Sequence, residues 1–114
     1  MDLAEIVARE QIRDTIARYN HFGDRGFFDD MVEQFHPDGE LELADSAARY
    51  RGRDELRDFF IGVSESFAAA GRPHAHIRHC VTNTLIRVDA GAARADSYFH
   101  VITDAGLDHW GRYR

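Results

Sequence analysis

Residues 74–88 read HAHIRHCVTNTLIRV, and the period of the chain changes there. Upstream, apolar residues recur every three or four positions. From His74 onward the run is rich in β-branched residues and Gly91 closes it, which predicts a long strand. The next stretch, AARADSYFHVITD, alternates strictly. Ala95, Ser97, Phe99 and Val101 fall on one face, and Asp96, Tyr98, His100 and Ile102 on the other. DAGLD reads as a turn, and HWGRYR starts a third strand.

Working back from this stretch, the helices come first in the chain. Asp2 to about Asn20 carries Leu3, Ile6, Val7, Ile12, Ile16 and Tyr19 at near-helical spacing, with Asp2 and Glu5 placed as a capping box. HFGDRGFFDD interrupts that pattern with two glycines and reads as a turn holding Asp24. FFDDMVEQFH predicts a short second helix, PDGELEL a turn into one early strand, and RYRGRD a polar loop. Leu56, Phe59, Phe60, Val63 and Phe67 then mark one face of a third helix, stopped by Gly71 and Pro73. Helices followed by a run of antiparallel strands imply an α+β fold. Helices across the concave face of a curved sheet would leave a pocket between the layers.

Composition narrows the function. The 114 residues suit one domain, and the 44% apolar and 30% charged fractions are those of a globular chain. A net charge of −6, with arginines interspersed among acids, offers no basic field for nucleic acid or an anionic membrane. The acidic, amphipathic start is no secretory signal, and no apolar run has spanning length, so the expected location is the cytoplasm. The lone Cys80 cannot form an internal disulfide. Abundant Arg and Ala with no lysine point to a GC-rich bacterial source.

Three histidines lie between 74 and 80. His74 and His76 share strand parity, but the carboxylate that a metal site of this spacing needs is replaced by Cys80 and Val81, so no metal is expected. The pair reads as a polar rim where the strand enters. His79, among Ile77 and Val81, needs a partner for its ring N–H. Either it is a core histidine satisfied by a backbone carbonyl, or it is a base steadied by a carboxylate such as Asp24. Asp24 alone reads equally as a turn aspartate or a helix cap.

The segments IRDTIARYNHFGDRGFFDDMVEQFHPDGELEL, YRGRDELRDFF, HIRHCVTNTLIRV, YFHVI and WGRYR together resemble the SnoaL-like group of the nuclear-transport-factor-2-like (NTF2-like) superfamily. The resemblance spans nearly the whole chain, 1–114. It implies a cone-shaped α+β barrel with three N-terminal helices on a strongly curved, mostly antiparallel sheet, and one further strand beyond Arg114. The chain is most similar to the scytalone dehydratase and hexachlorocyclohexane dehydrochlorinase branch. That branch carries an Asp after the first helix and a His early in the strand after the third helix, which here are Asp24 and His79. The implied activity is a cofactor-free elimination or isomerisation of a hydrophobic, cyclic substrate, with His79 as base and Asp24 orienting it. Tyr19, His100 and Trp110 are the pocket candidates, His100 being equally an outward-facing strand residue or part of a dimer interface. The resemblance also implies a homodimer.

Some positions depart from the branch. The dehydratase's catalytic tyrosines fall near Gly23 and Leu43, and the dehydrochlorinase's lysine near Tyr19, so none of those groups is present. Arg94 and Asp96 share a strand face, as an epoxide hydrolase of this fold would need, but such pairs are commonly solvated. Tyr19 and Asp104 could be set in a steroid-isomerase arrangement, but nothing asks for it. A non-enzymatic ligand-binding or assembly module, like the β subunits of ring-hydroxylating dioxygenases, and a polyketide-type cyclase are the alternative readings.

Overall fold

The structure, a computed structural model, describes residues 1–71 and 76–114. Its elements in order are α1 (Leu3–Arg25), α2 (Phe28–Val32), β1 (Glu40–Leu43), β2 (Ala48–Arg51), α3 (Arg53–Ala69), β3 (Ile77–Asp89), β4 (Ala92–Thr103) and β5 (Gly106–Tyr113). His74 and Pro73 lie outside the described residues. The α+β class expected from the sequence is the one observed. The chain divides into two compact units: the N-terminal part of α1 with β3, β4 and β5, and the rest of α1 with α2, β1, β2 and α3.

The unit beginning at Arg18 is built round α3. Leu56 is wholly buried, with Met31 and Val32 of α2 nearly so. Tyr19, Phe35 and Phe60 meet edge-on or tilted, with ring centroids 5.7–6.4 Å apart. Two features differ from the sequence reading. First, α1 runs on through Gly23 to Arg25, so Asp24 sits in its last turn and not in a following turn. The reason is packing: a Cβ at residue 23 would stand 2.8 Å from Met31 Cε, so glycine is what lets α2 close on the helix. Second, Ala48–Arg51 is a strand paired antiparallel with Glu40–Leu43, not a polar loop. The Gly52 N–H to Gly39 carbonyl bond of 2.9 Å extends that pairing. Glu55, in the first turn of α3, reaches back to accept the Arg51 N–H at 2.8 Å, and Arg53 donates to the Phe35 carbonyl at 2.8 Å.

The other unit is a sheet of order β3-β4-β5, antiparallel throughout. At its start α1 is capped as expected, with Asp2 Oδ1 accepting the Glu5 N–H at 2.8 Å. Arg9 ties the helix to β3 by donating to the Ile86 carbonyl at 2.8 Å, while Glu5 holds its guanidinium from one turn below. The first apolar residues of α1 are not covered: Leu3, Ile6 and Val7 are all exposed.

Strand β3 is not regular. Its register against β4 slips between Thr82 and Leu85, and Asn83 there has φ of 56°. Such a bulge inserts one residue and reverses the parity beyond it. Ile77, His79 and Val81 therefore share a face with Thr84, Ile86 and Val88. On β4 that face carries Ser97, Phe99, Val101 and Thr103, as the alternation predicts. Ile86, Ser97, Val101 and Thr103 are all buried, so this is the covered face. Thr84 and Ser97 hydroxyls meet on it at 3.0 Å, which gives the buried Ser97 a partner. The opposite face carries Tyr98, Ile102 and Trp110, all exposed.

Candidate functional site

His79 is the sequence-predicted base, and the sheet determines its surroundings. It pairs with Val101 of β4, which pairs in turn with His109 of β5. Residues directly opposite in an antiparallel ladder point to the same side. The face of buried Val101 thus carries His79 and His109 in the same row, His79 half-buried and His109 exposed at the rim. The rings confirm this: His79 lies 6.1 Å from Phe99 and 6.5 Å from His109, centroid to centroid. Phe99 is stacked by Tyr113 at 4.4 Å and met edge-on by His109 at 6.0 Å. The group is an imidazole pair on an aromatic floor, and His79 is half-buried in it.

His109 has its own carboxylate. Its Nδ1 is 2.6 Å from Asp108 Oδ2. An ionised carboxylate only accepts, so Nδ1 carries a hydrogen whether the ring is neutral or doubly protonated, and Nε2 is the nitrogen turned away from Asp108. The neighbouring residues of a regular strand point to opposite faces, so such a pair needs an irregularity. The register of β5 against β4 shifts between Val101 and Ile102, with Val101 opposite His109 and Ile102 opposite Leu107. Asp108 is the extra residue. Sequence patterning does not show this pair, because DAGLD reads as a turn and the strand as starting at His109, whereas β5 begins at Gly106.

The remaining candidates fall elsewhere. Cys80, His100 and Trp110 form the adjacent row, across the exposed face. His100 and Trp110 are thus on the opposite side of the sheet from His79, and the sequence grouping of the three does not survive strand parity. Trp110 is 77% exposed. Asp24 and Tyr19 belong to the other unit. Asp24 is half-buried at the end of α1, and burial against Phe35 and Phe60 pushes the Tyr19 phenol from 10.0 up to about 12. His74 lies outside the described residues. His76 is exposed, its backbone N–H donating to Asp104 Oδ1 at 2.7 Å.

The unit holding α3 also has an open groove of about 640 Å³ along that helix, lined by Tyr50, Glu55, Asp58, Phe59, Val63 and Phe67 among others. Neither Tyr19 nor Asp24 borders it. Among the described residues no group of three His, Cys, Asp or Glu side chains is gathered as metal ligands. None of the described helices is long and apolar enough to cross a membrane.

The model of the SnoaL-like domain matches residues 4–114 of this chain. The chain belongs to the SnoaL-like family. No curated protein matches its sequence. Solved structures share its fold. A protein from Catenulispora acidiphila is 23% identical, with 96% of this chain and 76% of that one aligned at a TM-score of 0.79. A candidate scytalone dehydratase from Novosphingobium aromaticivorans is 18% identical over 96% of this chain and 72% of its own, with a TM-score of 0.74. A second Catenulispora acidiphila structure, solved in complex with S-DNPA, is 26% identical over 93% and 75%, with a TM-score of 0.69. The fold is shared with an NTF2-like protein of cystatin-like fold from Novosphingobium aromaticivorans, 25% identical over 99% of this chain and 74% of its own at a TM-score of 0.70, as the segments imply.

Proposed function

We propose that this SnoaL-like protein is a cofactor-free lyase or isomerase that removes a proton from a hydrophobic, cyclic substrate, with His79 as base and Asp24 as the carboxylate that orients it. The observation that carries the reading is the half-buried His79 on a face floored by Phe99 and Tyr113. An imidazole beside aromatic rings can approach a C–H that flat apolar contacts hold in place. The fold-level likeness to a candidate dehydratase and to a neighbour solved with a small molecule supports the same class. His100 and Trp110 are left out of the proton-transfer set and assigned to the exposed face. Together with Tyr98, Ile102 and Leu107 they make it an apolar surface suited to a homodimer.

The test uses β-hydroxycyclohexanone in heavy water. Enone absorbance reads elimination, and NMR reads exchange of the α hydrogens. The wild-type protein should accelerate both. His79→Asn should lose about a hundredfold or more, and Asp24→Asn about tenfold or more. A His79→Asn variant as fast as wild type, or a wild-type protein that accelerates neither process, rejects the reading. The alternative is then a binding or assembly module, whose imidazoles are incidental.

A further inference from the structure

We propose that Asp108–His109 is the second proton-transfer pair of this site, and that His109 Nε2 gives the leaving group its proton. This rests on the function proposed above and adds the residue which that reading lacks. Elimination of water needs a group to take the α hydrogen and another to protonate the departing oxygen, because hydroxide is a poor leaving group. His79 can supply the first. The only other imidazole among the described residues within ring-contact range of it is that of His109, on the same face and 6.5 Å away. That spacing lets one ring reach a C–H while the other reaches the oxygen on the neighbouring carbon. Asp108, at 2.6 Å, holds Nδ1 and so turns Nε2 outward from the carboxylate. The bulge in β5 is the device that makes this possible, since it brings two consecutive residues into one working pair.

His79 takes the α proton as the C–H bond breaks, and that electron pair becomes the new C=C bond. The β C–O bond breaks, and its oxygen takes the Nε2 proton of a doubly protonated His109 and leaves as water, while the Nδ1 hydrogen stays directed at Asp108. His79 returns its proton to solvent and His109 recovers one, so no oxidant, reductant or metal enters the balance.

Two substrates separate this role from a structural one. β-Hydroxycyclohexanone loses hydroxide and needs an acid. β-(para-Nitrophenoxy)cyclohexanone loses para-nitrophenolate, which departs as a stable anion and needs none. With His109→Gln, turnover of the hydroxy ketone should fall about a hundredfold, while turnover of the nitrophenoxy ketone should stay within about twofold. Asp108→Asn should fall in the same selective direction, by less. His79→Asn should slow both. If His109→Gln slows both substrates equally, or neither, the proposal is overturned while the role of His79 stands. If the wild-type protein turns over neither ketone, the proposed function fails and the role of His109 fails with it.

Discussion

Gly111 lies flat beneath the ring of Phe99. The two are register partners on β5 and β4, and a Cβ at residue 111 would stand 2.5 Å from Phe99 Cζ. A strand glycine normally weakens pairing, and here the aromatic ring covers the gap. Phe99 is also the ring that His79, His109 and Tyr113 all meet. Gly111→Ala must therefore displace the floor of the candidate site. We expect a loss of about 1–3 kcal/mol, the usual cost of overpacking, read as a lowered midpoint in chemical denaturation. A variant as stable as wild type would show that Phe99 moves aside freely.

How much of this was legible in the chain depends on where its periodicity is broken. Strand β4 alternates without fault, so its two faces are legible in the sequence from Ala95 to Ile102. Strand β3 was not readable in the same way. Asn83 is a residue type that takes positive φ readily, but that alone does not place a bulge, and the bulge is what brings Thr84 and Ile86 to the face of His79. The same limit hid Asp108–His109, since adjacent residues on a regular strand cannot cooperate. RYRGRD at 49–54 reads as a loop because Arg49 and Arg51 are exposed on a two-stranded hairpin. Gly23 reads as a helix end because its reason, Met31, is a tertiary contact. The identity of His79 as a candidate came from the sequence; the company it keeps came from the ladder.

Gly23→Ala tests that tertiary contact. An exposed helical glycine usually gains stability on replacement by alanine, by up to about 1 kcal/mol. Here the added methyl would meet Met31 Cε at 2.8 Å, and Met31 is buried. We expect the sign to reverse, with a net loss of stability in thermal unfolding. The double variant Gly23→Ala with Met31→Ala should recover part of the helix gain at residue 23 when compared with Met31→Ala alone.

Tyr19 predicts an alkaline limit on stability. Its folded pKa is raised to about 12 by burial, above the ordinary 10.0. Between those values the unfolded chain has released the phenolic proton and the folded chain has kept it. The unfolded state then binds fewer protons, so stability falls as pH rises, by up to about 1.4 kcal/mol per pH unit. The contribution is intact below pH 10 and is lost as pH approaches the folded value. Denaturation midpoints from pH 9 upward should show this slope, and Tyr19→Phe should flatten it. An unchanged slope in Tyr19→Phe would assign the alkaline loss to other groups.

The exposed face of the sheet makes the last prediction. Trp110 is 77% exposed, Leu107 60%, Tyr98 58% and Ile102 43%. Isolated surface apolar residues need no explanation, but a tryptophan, a tyrosine and two aliphatics on one sheet face are a typical association surface. A homodimer would bury them while leaving His79 and His109, on the other face, out of the contact. We expect sedimentation velocity to show a dimer for the wild-type chain and a monomer for Trp110→Glu, because a carboxylate at the centre of an apolar contact is left without a partner. Elimination by the Trp110→Glu monomer should persist within a few-fold of wild type, since His100 and Trp110 are separated from His79 by the thickness of the sheet. A wild-type monomer would remove the dimer reading, and a dead but folded monomer would show that the exposed face supports the site it does not border.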